Sequence, residues 1–104
     1  MVKEIKTQEF EEQVIGGSKP ALVDFWASWC GPCKMLSPVV DSVSEQYDGV
    51  DFYKVNVDEE PEIAREFGIM SIPTLILFKD GEMLDQSVGV ASEAELKELV
   101  EKAL

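Results

Sequence analysis

Pro20-Ala21-Leu22-Val23-Asp24-Phe25-Trp26-Ala27 runs straight into Ser28-Trp29-Cys30-Gly31-Pro32-Cys33-Lys34, and the join between these halves decides the architecture. The first half is a nearly continuous apolar run opened by proline, the pattern of a central strand covered on both faces. Its one charged member is Asp24. The second half opens a helix. From Pro32 to about Tyr47, Leu36, Val40, Val43 and Tyr47 recur at helical spacing and make a single apolar stripe. Pro32 suits the first turn, where its missing N–H would be unbonded anyway, whereas Pro38 lies inside the stripe and is expected to bend it.

On the amino-terminal side, residues 2–6 read as a short strand. Thr7 is placed to cap a helix carrying Phe10, Val14 and Ile15 on one face before Gly16-Gly17 ends it. On the carboxyl side, Asp48-Gly49 punctuates and residues 51–57 alternate polar and apolar like a strand. Residues 60–67 then supply a short helix with Ile63, Ala64 and Phe67 inward, completing a βαβ crossover. Residues 74–79 and 82–88 flank Asp80-Gly81, a two-residue loop suited to a type I′ hairpin. Ser92-Glu93-Ala94-Glu95 is a capping box for a last helix that buries Leu96, Leu99, Val100 and Ala103.

The order βαβαβαββα predicts an α/β protein, a three-layer α/β/α sandwich. Its central mixed five-stranded sheet is parallel first and ends in an antiparallel hairpin, flanked by four helices. With 104 residues, 45% of them hydrophobic, the chain supports one domain, 1–104, and one ordinary core. Its 21 acidic residues against 9 basic ones give a net charge of −12, which repels phosphate backbones and anionic bilayers. Nucleic acid and membrane are therefore poor partners. No apolar stretch approaches the roughly 18 residues of a membrane span, and Met1-Val2-Lys3-Glu4 has no basic segment followed by an apolar one. A cytoplasmic location is expected. The run Asp58-Glu59-Glu60-Pro61-Glu62 reads as a solvated helix start, not as a cation site.

Two cysteines and no histidine direct attention to Cys30 and Cys33, because paired cysteines in a reducing compartment are catalytic or metal-binding more often than structural. They lie where a strand ends and a helix begins, the place where reactive groups collect in such sheets. Free amides and the positive end of the helix dipole stabilise an anion there. Cys30, entering the turn, is the candidate nucleophile. Cys33, one position further in and shielded by the helix, is the candidate resolving thiol. A plain staple is the alternative, yet a loop this short gains only roughly 2 kcal/mol before strain. A zinc site would need carboxylates or a second chain to complete four ligands, so no metal is expected. An ionised Asp24 in an apolar strand suffers desolvation, which raises its pKa and suits it to proton transfer. Trp26 reads as a core or sub-site aromatic, and Trp29 as surface recognition.

Val23-Asp24-Phe25-Trp26-Ala27, Trp29-Cys30-Gly31-Pro32-Cys33-Lys34, Ile72-Pro73-Thr74 and Val88-Gly89 together resemble the thioredoxin family in order and spacing, across essentially the whole chain. A bare C-x-x-C is a weak signal; the full string joined to the downstream I-P-T and glycine is specific. The resemblance implies the thioredoxin fold. It also implies a reductase that draws electrons from thioredoxin reductase and passes them to disulfide-containing target proteins. Gly-Pro between the cysteines is the version found in reducing members, and an oxidant or isomerase is disfavoured by the lack of histidine and of an export signal. It further implies a cis Ile72-Pro73 peptide beside the cysteines. An exposed, mostly apolar collar of Trp29, Gly31, Pro32, Ile72, Pro73, Val88, Gly89 and Val90 would receive an extended target segment. Asp24 would take the proton from Cys33 through water, with Lys54 on the neighbouring strand tuning it. The expected working form is a monomer whose only redox group is the Cys30/Cys33 disulfide/dithiol couple, with no bound cofactor. A redox-independent binding subunit on the same fold is the competing reading.

Overall fold

In the computed structural model, which describes residues 1–104, strand β2 (Ala21–Trp26) is the centre of a five-stranded sheet. The order is β1-β3-β2-β4-β5, with β1 (Val2–Glu4), β3 (Asp51–Asn56), β4 (Thr74–Lys79) and β5 (Glu82–Val88). β3 runs parallel to both β1 and β2, whereas β4 is antiparallel to both β2 and β5. Every residue of β2 from Ala21 to Phe25 is buried, as the continuous apolar run requires.

Alternation along the strands separates the two cores. Leu22, Phe52, Leu75 and Leu77 pack with Leu36, Val40 and Val43 of helix α2 (Gly31–Ser44) and with Leu96, Leu99 and Val100 of α4 (Glu93–Glu101). Val23, Phe25, Val55 and Ile76 face the other way. They meet Phe10 and Val14 of the first helix and Ile63 of α3 (Pro61–Glu66). On that face Phe10, Phe67 and Phe78 form a mutual edge-to-face trio with ring centroids 5.2–5.6 Å apart. Each fully buried Leu or Phe contributes on the order of 2 kcal/mol. Asp24 shares the parity of Leu22, so it lies on the α2 side.

The amino-terminal segment departs from expectation. β1 stops at Glu4, and Lys6 rather than Thr7 occupies the cap position; Thr7 is the first residue of α1 (Thr7–Glu9). Both the Thr7 amide and its hydroxyl donate to Glu60, at 2.9 and 2.8 Å. The hydroxyl that would cap its own helix is thus claimed by a carboxylate just ahead of α3, and Glu60 is correspondingly not a free surface charge. The helix then widens into a π-helical stretch, Phe10–Ile15, ending at Gly16. Helix α2 begins at Gly31, one residue before Pro32, continues through Pro38 and stops at Ser44 short of Tyr47. Tyr47 instead donates its hydroxyl to Glu101 of α4 at 2.6 Å. The capping box of α4 forms as read, with the Ser92 hydroxyl accepting from the Glu95 amide at 3.1 Å and Glu95 accepting from the Ser92 amide at 3.0 Å.

The β4–β5 turn has positive φ at both central residues, 55° at Asp80 and 79° at Gly81, as a type I′ turn demands. A side chain at Gly81 would also meet the Ile15 carbonyl oxygen, 2.7 Å from the position of an added Cβ. Gly81→Ala is therefore expected to destabilise the protein by roughly 1–3 kcal/mol, and Asp80→Asn by less than about 0.5. Urea unfolding of the two variants checks this: an unshifted midpoint for Gly81→Ala would rule out both the strain and the close approach.

Candidate active site

β2 ends at Trp26, and a short connection delivers Cys30 to the cap position of α2 in an extended conformation, φ −89° and ψ 108°. Cys30 and Cys33 are joined as a disulfide with their Cα atoms 5.3 Å apart. The Cys33 backbone N–H donates to the Cys30 sulfur at 3.2 Å, so Cys30 holds the place that a serine or aspartate oxygen holds in an ordinary N-cap. This sulfur also lies 3.8 Å from the Ile72 carbonyl oxygen. Both cysteines are buried, at 4% and 3% exposure, so shielding alone does not separate them. What separates them is direction: the helix amide points at Cys30.

Ile72-Pro73 is cis, and its loop is fastened at two points. Thr74 donates its hydroxyl to the Ser71 carbonyl at 2.7 Å, and the Gly89 amide donates to the Pro73 carbonyl at 2.8 Å. Gly89 adopts φ 91°, a left-handed conformation that glycine reaches without strain. The segments after β2, before β4 and after β5 therefore contribute to one surface. Trp29, Val88 and Val90 are exposed on it at 69%, 60% and 48%, as are Gly31 and Pro32. Ile72 and Gly89 are half-buried, and Pro73 is buried, against the expectation that the whole collar is exposed. Pro73 leads directly into the buried strand β4 and supports the surface from beneath.

Trp29 is held by Asp58, a residue that the sequence assigns only to a solvated helix start. The indole N–H donates to the Asp58 carboxylate at 2.8 Å. Asp58 is placed by the turn after β3, where the Asn56 side chain accepts from the Asp58 amide at 2.9 Å. No local pattern marks this pair; only the Asn-x-Asp turn chemistry after β3 hints at where the carboxylate goes.

Behind the disulfide lies a cavity of about 110 Å³ bordered by Asp24, Trp26, Cys33 and Lys54 among others. Asp24 is 4% exposed and pairs in register with Lys54 across β2 and β3. The Lys54 ammonium lies over the Trp26 ring, 5.4 Å from its centroid. Asp24 Oδ1 and Trp26 Nε1 are both buried without a protein partner. Burial pushes the Asp24 carboxyl up to about 7; Lys54 opposes the rise and Asp41 adds to it. The candidate residues Cys33, Asp24 and Lys54 thus share one small chamber, while the Cys30 sulfur faces the cis-proline loop.

The thioredoxin family model matches residues 1–102. The chain is 45% identical to thioredoxin 1 of Nostoc sp., over 97% of this chain and 95% of that one. It is 50% identical to thioredoxin 1 of Synechococcus elongatus, over 91% and 90% of the two chains. It is also 46% identical to the chloroplastic M-type thioredoxin of Pisum sativum, over 97% of this chain and 59% of that one. With a redox-capable cysteine pair at the head of α2 and the cis-proline loop against it, the chain belongs to the thioredoxin family and is a thiol–disulfide oxidoreductase that reduces protein disulfides.

Proposed function

We propose that Cys30 is the attacking thiolate and Cys33 the resolving thiol of a disulfide reductase recycled by thioredoxin reductase. The observation that carries the assignment is the Cys33 amide directed at the Cys30 sulfur, a hydrogen bond that grows stronger when that sulfur carries negative charge. In the dithiol form, the Cys30 thiolate attacks one sulfur of a target disulfide; a mixed disulfide forms and the target's other sulfur leaves as a thiolate. Cys33 then loses its proton and attacks Cys30. The Cys30–Cys33 bond closes and the second target sulfur departs, so two electrons have passed to the target. The apolar surface of Trp29, Ile72, Val88 and Val90 suits an extended target segment, and Gly31, Pro32 and Gly89 let a backbone approach closely.

Asp24 is the proton acceptor for Cys33. Its pKa near 7 matches the operating pH, and the cavity it shares with Cys33 has room and polar atoms for a relaying water. Lys54 counters the rise and keeps the carboxyl from staying permanently neutral. No helix is long and apolar enough to cross a membrane. A cytoplasmic monomer with no bound cofactor is the form consistent with the acidic surface and with a cysteine content confined to the active pair.

The direct test equilibrates the protein in thiol/disulfide buffers while following the fluorescence of Trp26 and Trp29. A potential near about −270 mV, the general value for thioredoxins, marks a reductant; one near about −120 mV marks an oxidant and overturns the assignment.

Asp24 links function to stability. Its folded pKa lies above its unfolded one, so between about pH 4 and 7 the folded protein binds a proton that the unfolded chain has lost. Stability therefore falls as pH rises through that window. Asp24→Asn is expected to remove the dependence and to stabilise the protein above pH 7 by up to the order of 4 kcal/mol. The same variant is expected to slow reduction of protein disulfides by roughly tenfold or more. Unfolding curves across pH, together with turnover, check both; unchanged turnover would remove Asp24 from the mechanism.

A further inference from the structure

None of the four methionines is in the core: Met1, Met35, Met70 and Met83 are 84%, 67%, 96% and 45% exposed. Met70 is the most exposed and also sits closest in sequence to the cis-proline loop. It borders a groove of about 570 Å³ shared with Trp29, Ile69 and Ile72, and a second of about 180 Å³ shared with Thr74 and Val88. It thus stands as a ridge between two hollows of the surface assigned above to target docking. A thioether there is a flexible apolar contact that adapts to varied partners. It is also fully open to dissolved oxidants.

We propose that Met70 is a peroxide-oxidation site whose sulfoxide weakens docking of protein targets while leaving the dithiol chemistry intact, an inference that rests on the reductase reading of this face. The step is balanced: the thioether sulfur attacks one peroxide oxygen, an S–O bond forms as the O–O bond breaks, sulfur loses two electrons and water departs. The product carries a strong polar group on a contact that a target would bury. Peroxide also oxidises the cysteine pair, but only to the disulfide that each catalytic cycle re-opens. The Met70 sulfoxide persists until a separate repair reaction removes it, so it records exposure to oxidant over many turnovers.

The disulfide form is treated with hydrogen peroxide, which spares the paired cysteines, and dithiothreitol then restores the dithiol without reducing the sulfoxide. Tryptic peptides resolve the sites, since residues 66–79 contain Met70 alone and Met35 and Met83 fall in separate fragments. Reduction of insulin, a protein disulfide, is compared with reduction of dithiobis(nitrobenzoate), a small one, each treated protein against its own untreated rate and untreated Met70→Gln against the untreated unsubstituted protein. The expected result is a roughly threefold to tenfold rise in KM for insulin with less than a twofold change for the small disulfide. Met70→Leu is expected to resist the treatment, and Met70→Gln to show the loss without it. Equal loss in treated Met70→Leu, an undiminished Met70→Gln, or a parallel fall on both disulfides overturns the proposal. Untreated protein that reduces neither disulfide refutes the underlying reductase reading instead, and the proposal falls with it.

Discussion

The hydrogen bond from the Cys33 amide to the Cys30 sulfur is the contact around which the molecule is arranged. It exists because a helix must leave its first amides unbonded and because β2 delivers the chain to that helix with only a short turn between. A longer connection would let the sulfur swing away, and a serine in its place would cap the helix without offering redox chemistry. The strand is buried on both faces, so the turn cannot drift along the sheet. The cis-proline loop, itself fastened by Thr74 and Gly89, limits the other side. Reactivity here follows from the way a helix is begun.

The chamber behind the sulfurs carries the opposite logic. At the head of α2, unpaired donors favour negative charge; around Asp24, burial disfavours it. Two environments of opposite electrostatic preference thereby stand back to back, and at the second the Asp24 carboxyl is raised to about 7. Lys54 is withheld from close pairing by its position over Trp26, which leaves the carboxyl adjustable. A direct buried salt bridge would have favoured Asp24 as an anion instead.

How much of this is legible in the sequence follows from how local each cause is. The central strand, the Asp80-Gly81 hairpin, the Ser92 capping box and the cysteine pair all declare themselves within a few residues, because their causes are periodicity, turn chemistry and helix capping. Thr7 misleads because its hydroxyl bonds Glu60, 53 residues away, and no pattern near Thr7 signals that. The Trp29–Asp58 pair spans 29 residues and escapes a sequence reading for the same reason. The burial of Pro73 depends on its leading into β4 next to β2, a neighbour set by topology. Asp24 is readable in part: an acid in an apolar run announces desolvation, but its unpartnered oxygen and the stacking of Lys54 on Trp26 emerge only in three dimensions.

Asp24 has one more consequence, at the ribosome. β2 is made early, yet its partners β3 and β4 end only at Asn56 and Lys79. At about 5–20 residues per second, this apolar strand waits for several seconds with both edges unpaired. Ala-Leu-Val followed by Phe-Trp-Ala is the kind of segment that recruits other nascent chains into sheet. In the solvated chain Asp24 is an ordinary ionised carboxylate, a charge set in the middle of that segment. The aspartate thus interrupts that apolar segment with a charge while the chain is solvated and gives up the charge more readily once the sheet closes over it.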